Sequence, residues 1–389
     1  MRLLRRGRPT RQGVCHLTTS HPPADTRILL RECGSLSENG YDVELHVVTS
    51  GPPPEPVAGP VPVVIHGLRL PGRFARLLLR PWFGLAVGLR TGRKVIHIHD
   101  PEMIALAPLF VFAGRSVVYD VHEDVPRQIL AKEWIPAAVR SIVAAGFERL
   151  ENWCTSRVSV VVAATDAIAD RFEQVHPLVF RVRNFASADH FPPPAPVEER
   201  RYDVCFVGVI NAVRGAEQML AIAERSNARV VFAGPCHPPE LAARFEAVAA
   251  TTPSFEFRGP VPHHEAVRIM GDSKLGLLLF QPVPNNVDAQ PNKLYEYLAA
   301  GTPVLGPHFP RFVDVIGRGT TDDDGVGATI DPTSSDDAVA AVRALLADPA
   351  RLSHLGARAR RVFEERFSWE TELKELLRAY EALPIPTGA

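Results

Sequence analysis

Short apolar runs rich in valine and isoleucine alternate with longer amphipathic segments along the first half of the chain. The apolar runs predict strands at 14–20, 43–49, 63–66, 94–99, 116–121 and 159–164. The amphipathic segments predict helices at about 25–39, 102–113 and 136–154. Strands that alternate with helices in this way form parallel sheets with helices on both faces. The first half therefore predicts a doubly wound α/β domain.

The same alternation starts again after a stretch near 186–200 that is rich in Ala, Pro and Glu. It predicts strands at 204–209, 229–234, 255–258, 275–280, 302–305 and 327–330, and helices at about 214–226, 238–249, 264–271, 291–300 and 336–347. A last helix, capped by Ser368, runs to Tyr380. We therefore predict an N-terminal domain over 1–190, a C-terminal domain over 191–367 and a final helical segment over 368–389.

Composition narrows the class of protein. A chain of 389 residues with 46% hydrophobic and 22% charged residues is typical of a soluble protein with two domains. The net charge of -1 gives no general attraction to nucleic acid. The basic start lacks the apolar run of a signal peptide and no stretch is long enough to span a bilayer, which predicts a cytoplasmic protein. The five cysteines show no C-x-x-C spacing, so neither a disulfide framework nor a zinc site is indicated.

Polar residues follow several of the predicted strands of the first half, where ligands bind in doubly wound sheets. The ends in question are 20–27, 97–102 and 119–124. His97 and His99 alternate with isoleucines, so both side chains lie on one face of a strand. Such a pair can bind a metal, with His122 as a third ligand. A buried, hydrogen-bonded histidine is the alternative, and for His97 it is the favoured one.

A helix with well-marked ends is predicted within residues 288–301. Pro291 suits the first helical position, and Gly301 suits the left-handed residue that ends a helix. The amides of its first turn, together with Lys293, are suited to an anion, while the carboxylate of Glu296 suits a pair of neighbouring hydroxyls. The alternative is an ordinary amphipathic helix with a solvated lysine and glutamate.

A second anion site is predicted at the start of the C-terminal domain. Arg214 and Gly215 follow strand 204–209 and open a helix, where an arginine can hold a diphosphate through bidentate hydrogen bonds. The chain has no G-x-G-x-x-G after its first strand and no G-x-x-x-x-G-K-[ST]. These absences argue against a dinucleotide-dependent oxidoreductase and a P-loop enzyme.

Together these motifs resemble those of retaining GT-B glycosyltransferases, specifically glycosyltransferase family 4. Asp288 and Glu296 are separated by seven intervening residues. This spacing resembles the acidic-x7-acidic donor motif of that family, although the first acidic residue of the motif is usually Glu. Arg214 matches one of two cations in the family's phosphate loop, whereas Val209 stands where the other is expected. Pro22-Pro23 replaces the glycine-rich turn that many members have after their first strand.

The resemblance implies two Rossmann-like, doubly wound parallel-sheet domains that face each other across a cleft. It implies transfer of a sugar, with retention of configuration, from a nucleotide diphosphate sugar to a hydroxyl acceptor in polysaccharide, glycolipid or other glycoconjugate biosynthesis. No metal or other cofactor is expected. The implied residues are His99, His122 and Asp288 for catalysis; Arg214, Gly215, Asn292, Lys293, Leu294 and Glu296 for the donor; and Asp25 and Arg27 as further phosphate or acceptor contacts.

Two alternatives to this function remain open from the sequence, namely a nucleotide-sugar epimerase of the same fold and a catalytically silent sugar-nucleotide-binding subunit. The acceptor is expected to be a glycan or a lipid-linked molecule. Residues 72–94 interleave arginines with leucines, a tryptophan and a phenylalanine. This pattern predicts contact with an anionic membrane at the inner face of the cell membrane, with a core helix that has a solvated basic edge as the alternative.

Overall fold

The computed structural model describes residues 12–50, 57–68, 72–132, 135–287, 289, 291–318 and 324–384. It divides the chain into two compact units. The first contains the residues up to Asn184 together with those from Glu372 onward, and the second is Phe185–Thr371. The division thus falls at 184/185 and 371/372, whereas the sequence places it at 190/191 and 367/368.

A seven-stranded parallel sheet, with the order β3-β2-β1-β4-β5-β6-β7, forms the centre of the first unit. Its strands are β1 Gly13–Thr18, β2 Asp42–Ser50, β3 Val63–Leu68, β4 Val95–Ile98, β5 Ser116–Val121, β6 Val160–Ala163 and β7 Val179–Arg181. Six of them lie within two residues of their predicted bounds. The seventh, β7, was not predicted, because a three-residue edge strand with half-buried side chains leaves no apolar run in the sequence.

The helices of the first unit connect these strands. They are α1 Gly34–Glu38, α2 Gly72–Arg90, α3 Ala107–Phe112, α4 Val125–Ala131, α5 Ala137–Thr155 and α6 Asp166–Glu173. A π-helical segment, Thr26–Cys33, leads into α1, and a 3-10 segment, Pro101–Leu106, leads into α3. The side chain of Thr165 accepts a hydrogen bond from the Ile168 amide and so caps α6.

The second unit is built on a six-stranded parallel sheet with the order β10-β9-β8-β11-β12-β13. Its strands are β8 Tyr202–Val207, β9 Val230–Ala233, β10 Phe255–Phe257, β11 Ser273–Leu277, β12 Val304–Pro307 and β13 Gly327–Ile330. Successive residues of β8 alternate between the two faces of the sheet: Val204 and Phe206 pack in one apolar layer, Cys205 and Val207 in the other.

Nine α-helices begin in the described part of the second unit. They are α7 Ala216–Arg225, α8 Pro239–Thr251, α9 His263–Gly271, α10 Pro284–Val287, α11 Asn292–Ala299, α12 Pro310–Ile316, α13 Ser335–Leu346, α14 Pro349–Val362 and α15 Trp369–Glu381, which continues into the first unit. A π-helical segment, Phe363–Phe367, joins α14 to the last helix, and short 3-10 turns occur at Ala188–His190, Val197–Glu199 and Ala212–Arg214. None of the described helices is both long and apolar enough to cross a membrane.

The direction in which the chain adds strands reverses once in each sheet. In the first unit the reversal lies between β1 and β4, and in the second it lies between β8 and β11. Ligands bind at such reversals in doubly wound sheets, because the loops that follow the two strands separate there and leave a crevice. The loops after β1 and β4, and those after β8 and β11, are therefore the places to look for a functional site.

Candidate active site

The loop after β8 depends on two glycines. Gly208, with φ 148°, directly follows the strand, and Gly215, with φ 85°, ends the 3-10 turn and begins α7. A Cβ atom at Gly215 would lie 2.3 Å from the backbone oxygen of Leu279. Only glycine therefore combines this left-handed conformation with such close packing, and the start of α7 lies against the segment that follows β11.

Arg214 supplies a positive charge at the start of α7. Its side chain is half-buried, its guanidinium carbon lies 5.7 Å from the centroid of the Phe280 ring, and one of its amino groups donates to the Val209 carbonyl at 3.4 Å. Within the described residues no carboxylate is paired with it. A helix N-terminus with an uncompensated arginine attracts an anion, because the free amides and the guanidinium both donate hydrogen bonds to it.

Helix α11 begins one residue later than the sequence predicts. Pro291 takes the N-cap position with extended backbone, so the helix starts at Asn292, and Gly301, with φ 62°, ends it as expected. Lys293 and Glu296 lie on its half-exposed side and form an ion pair one turn apart. The predicted lysine and carboxylate are thus held together beside the first turn of the helix.

Leu294 differs from its neighbours on α11. Its side chain is buried in the core, and its amide donates to the Pro291 carbonyl at 3.0 Å. Both of these groups are therefore already engaged in folding contacts. Asn292 is exposed, and Asp288 lies outside the described residues.

Three contacts bring α11 and the Arg214 loop to the same edge of the sheet. The hydroxyl of buried Tyr297, on α11, accepts a hydrogen bond from the amide of Val207, the residue before Gly208, at 3.1 Å. On the other side of the loop, the Val213 carbonyl accepts from the backbone of Gln281 and the side chain of Asn286, each at 2.9 Å. The cation, the helix and the loop after β11 therefore lie together at the β8–β11 reversal.

The first unit has a buried network of ionisable side chains at the corresponding edge. His16 of β1, His97 of β4 and His99, which follows β4, are all 1% exposed or less. His99 uses both ring nitrogens inside the protein: Nε2 lies 2.9 Å from His16 and Nδ1 lies 3.1 Å from Asp120. The hydroxyl of Tyr380 lies 2.8 Å from His97 and 3.2 Å from His16.

Arg27, which the resemblance implies as a phosphate or acceptor contact, is buried. It is only 3% exposed, and its guanidinium is engaged within the first unit. That group lies 3.0 Å from Asp120 and 2.9 Å from Glu32, and it donates to the Val182 carbonyl at 2.9 Å. Asp25 caps the following helix, since its side chain accepts from two backbone amides of the first turn.

The network sets the charge of its members. Burial lowers the pKa of His16, His97 and His99, which are therefore neutral at physiological pH. Burial raises the pKa of Asp120, but the charge of Arg27 and the interactions with His122 and His99 together outweigh burial and hold the pKa of that carboxyl well below its usual range. Burial and the charge of Asp120 raise the pKa of Glu32.

His122 connects this network to the surface. Its side chain is 15% exposed, and its Nε2 lies 2.7 Å from Asp120. Because Asp120 is ionised, it accepts a hydrogen bond from Nε2–H, which leaves Nδ1 as the ring nitrogen available to a ligand. Of the two histidines predicted for catalysis, His122 is thus the one with a nitrogen left over, whereas His99 has none.

His21 is a second partly exposed histidine at this edge, and it is not among the predicted site residues. Its Nδ1 lies 2.9 Å from buried Asp100, and its ring centroid lies 4.8 Å from that of His122. Burial lowers the pKa of His21, but the hydrogen bond to Asp100 and the charges of Asp100, Asp25 and Asp120 together outweigh burial and raise the pKa overall. A signal was present in the sequence, because His21 and Asp100 both lie among the polar residues that follow predicted strands.

Two groups of side chains in this network are close enough to hold a metal ion. One is His99, Asp120 and His122, and the other is His16, Glu32, His97 and His99. Most of these ligand atoms are already engaged with one another. The guanidinium of Arg27 lies within 3.0 Å of the carboxylates in both groups, and a fixed positive charge there disfavours a cation.

Comparisons with known proteins agree with this architecture. Residues 26–183 match the family model described as Glycosyltransferase Family 4, and residues 214–378 match the one described as Glycosyl transferase-like. Among solved structures, HepE from Anabaena in complex with UDP is 13% identical, with a TM-score of 0.66 over 95% of this chain and 100% of that one. Comparison with curated proteins finds no match.

Two further solved structures show the same fold. Sucrose-phosphate synthase from Thermosynechococcus elongatus is 15% identical, with a TM-score of 0.64 over 95% of this chain and 98% of that chain. The catalytic domain of starch synthase IV from Arabidopsis thaliana, bound to ADP and acarbose, is 12% identical, with a TM-score of 0.62 over 96% and 100%. The fold class is therefore GT-B, as predicted. The chain belongs to glycosyltransferase family 4 and is a retaining glycosyltransferase.

Proposed function

We propose that the protein transfers a sugar from a nucleotide diphosphate sugar to a hydroxyl acceptor. The observation that carries the proposal is the uncompensated Arg214 at the start of α7, next to the first turn of α11 at the β8–β11 reversal. Two of the structural neighbours support the class of donor, since HepE is described in complex with UDP-glucose and starch synthase IV with ADP.

In this proposal the second unit binds the donor. Arg214 and the first amides of α7 and α11 donate hydrogen bonds to the diphosphate, and Gly215 leaves the backbone free to approach it. Lys293 contacts a phosphate oxygen, and Glu296 accepts from the ribose hydroxyls, so that the donor separates the ion pair seen between them. Asn292 belongs to this set through its amide in the first turn. Asp288 is proposed to contact sugar hydroxyls.

The chemistry follows from the charge that develops. The bond between the anomeric carbon and the diphosphate breaks, the bond to the acceptor oxygen forms on the same face, and a phosphate oxygen takes the acceptor proton. The cations and amides stabilise the negative charge of the departing diphosphate, which is the main electrostatic requirement of such a transfer. In the first unit, Nδ1 of His122 would accept a hydrogen bond from a sugar or acceptor hydroxyl.

Substitution of the donor-binding residues tests the proposal. We expect Arg214→Ala and Glu296→Ala each to lower turnover of a nucleotide sugar by at least about a hundredfold, since each removes a charged hydrogen bond to the donor. Arg244→Ala is the matched control, because that arginine is exposed on α8 and paired with Glu217. Near-normal rates for Arg214→Ala or Glu296→Ala, with the fold intact, would contradict the assignment.

The identity of the donor can be found in the same experiments. Binding of UDP, GDP, ADP and dTDP, followed by calorimetry, should single out one base, and Arg214→Ala should weaken it. With the sugar nucleotide of that base, free nucleotide should be released only when a hydroxyl acceptor is present. Release without any acceptor, or isomerisation of the sugar, would contradict transfer as the reaction.

For the acceptor we propose a glycan or a lipid-linked molecule, met at the inner face of the cell membrane. Within residues 72–94 the side chains of Leu79 and Trp82 are more than half exposed, in agreement with contact at a lipid surface. Two of the basic residues there are engaged within the first unit: Arg80 donates to the Thr19 carbonyl, and Arg93 pairs with Asp42 and Glu44.

A further inference from the structure

Helix α5 has an apolar stripe on its exposed side. Val139, Ile142, Val143, Leu150 and Trp153 occupy positions i, i+3, i+4, i+11 and i+14, so they lie on one face of the helix. All of them are exposed, and Ile142 retains 72% of its accessible surface. Other positions of the same helix, including Ala144 and Cys154, are buried and pack in the core. The exposed stripe is therefore not needed to pack this helix against the rest of the unit.

The neighbouring helix also exposes apolar side chains. Helix α3 packs against α5 and exposes Leu109 and Phe112, and Phe112 retains 91% of its accessible surface. We call the five residues of the α5 stripe together with Leu109 and Phe112 the α3–α5 surface. So many exposed apolar side chains on two adjacent helices are uncommon in soluble proteins unless they bind something.

The charges around the α3–α5 surface are positive. Arg149 is the one charged residue at a fully exposed position of α5, and Arg157, just beyond the helix, lies 3.8 Å above the ring of Trp153. The carboxylates of α5 are compensated on its other sides: Glu151 is buried against Arg171, and Glu148 is paired with Arg127. The surface therefore combines apolar side chains with arginines that have no exposed acidic partner on the helix.

We propose that the α3–α5 surface docks on an anionic lipid bilayer. The apolar side chains enter the boundary between headgroups and acyl chains, Trp153 lies at the headgroup level, and Arg149 and Arg157 bind lipid phosphates. A second copy of the chain fits less well. A two-fold interface places the same patch on both sides, so the arginines of one copy would face those of the other without carboxylates between them.

This inference goes beyond the proposed function, because it assigns a surface that takes no part in donor binding. It also differs from the contact proposed for residues 72–94, because that contact is made by α2 and this one by α3 and α5. Docking requires only lipid and no turnover. Its failure would therefore leave the sugar transfer untouched, and failure of the transfer would leave the docking untouched.

Sedimentation with vesicles tests the proposal. The wild-type chain should bind vesicles of phosphatidylcholine with about one-third phosphatidylglycerol, bind pure phosphatidylcholine at least about tenfold more weakly, and be released by high salt. The double variant Phe112→Ser/Ile142→Gln should bind the anionic vesicles at least about tenfold more weakly, since it removes the two most exposed apolar side chains. Arg149→Gln/Arg157→Gln should have a similar effect.

The control is Val64→Gln, an exposed apolar residue of the edge strand β3 in the same unit, which should bind as the wild type does. Equal binding of the wild type and of both double variants would overturn the proposal. So would a wild-type dimer in sedimentation velocity that Phe112→Ser/Ile142→Gln converts to a monomer, because the surface would then belong to a second copy. Circular dichroism distinguishes unfolding of a variant from loss of docking.

Discussion

Both units are built on a parallel sheet, but they differ in the number of charged and ionisable side chains that they bury. In the described part of the first unit, eleven Asp, Glu, His and Arg side chains are buried: His16, Arg27, Glu32, His46, His97, His99, Asp100, Asp120, Glu151, His176 and Glu372. In the described part of the second unit, Arg200 is the one buried side chain of these four types, and it donates to the carbonyls of Ser273 and Gly301. All six histidines of the second unit are exposed, and its core is apolar.

This difference shows that charged side chains have different roles in the two units. Burying charges is costly, and a buried network stabilises a fold only while every member keeps its partner. The network of the first unit reaches the surface at His122. The unfavourable free energy of burying these charges is therefore found next to the predicted site. The second unit instead places its charges at the start of helices, where backbone amides already favour an anion.

The two units also differ in how many large hydrophobic side chains they expose to solvent. Of the large hydrophobic side chains that are exposed within the described residues, only Val213 belongs to the second unit. The first unit thus combines a buried ionic network beside its apolar core with several exposed apolar side chains, whereas the described part of the second unit has one buried charged side chain and one exposed large apolar side chain. This is the division expected if the second unit binds a charged, soluble donor and the first meets the acceptor.

The largest effect should come from the centre of the buried network. Asp120→Asn removes the charge that compensates Arg27 and the acceptor that holds His99 and His122. We expect the free energy of unfolding of the first unit to fall by about 3–5 kcal/mol, the usual result when one partner of a buried pair is lost. Hydrogen exchange followed by mass spectrometry reports the loss separately for peptides of each unit.

Glu217→Gln is the matched control, because it removes a carboxylate of the second unit whose arginine partner, Arg244, is exposed. Exposed pairs contribute little, so protection should hardly change. If Asp120→Asn leaves the first unit as protected as Glu217→Gln leaves the second, the contrast between the two interiors has no energetic basis.

Acid should destabilise the first unit more than the second. Because burial lowers the pKa of His16, His97 and His99, the unfolded chain binds their protons below about pH 6.5 and the folded chain does not. Stability is therefore lost as the pH falls below that value. Glu32 has the opposite effect on stability, because its raised pKa means that the folded chain binds one proton more readily than the unfolded chain does. For these four groups together the net slope is at most about 3 kcal/mol per pH unit.

Hydrogen exchange at pH 7 and pH 5.5, corrected for the intrinsic exchange rate, measures this difference in one sample. Peptides of the first unit should lose protection at the lower pH, and those of the second unit, with exposed histidines only, provide the internal control. An equal loss in both units, or a loss in the second alone, would show that the buried histidines do not govern the acid response.

A packing change should affect the second unit by a smaller amount. A Cβ atom added at Gly276, on β11, would lie 2.6 Å from the ring of Tyr297. Gly276→Ala should therefore cost about 1–3 kcal/mol of stability through overpacking. It should also weaken nucleotide binding, because the hydroxyl of Tyr297 holds the Val207 amide beside the Arg214 loop. Chemical unfolding and calorimetry with the preferred nucleotide measure the two effects.

Gly271→Ala is the matched control, because a Cβ atom there meets nothing within 4 Å and the backbone is helical. It should change neither stability nor affinity appreciably. If Gly276→Ala lowers stability but leaves nucleotide affinity unchanged, Tyr297 does not connect the core to the Arg214 loop.

Sequence patterns predicted the fold better than they predicted the partners of individual side chains. Twelve of the thirteen strands were expected, because buried parallel strands are continuous apolar runs. Gly301 was expected to end its helix, since glycine takes this left-handed conformation easily. The ionic network was missed: Arg27 and Asp120 are 93 positions apart, and sequence spacing does not show that a charge far away in the chain will bury an arginine.

The smallest expected effect is that of a substitution at His122 on the turnover rate. His122→Gln removes the ring whose Nδ1 is proposed to accept a hydrogen bond from a sugar or acceptor hydroxyl, and one such bond contributes about 0.5–1.5 kcal/mol. The turnover rate should therefore fall by up to about tenfold while nucleotide affinity is unchanged. His21→Gln, at the neighbouring ring, is the matched variant and should retain the wild-type rate. If both variants are fully active, the buried network serves the fold of the first unit alone, and the difference between the two interiors no longer bears on the transfer.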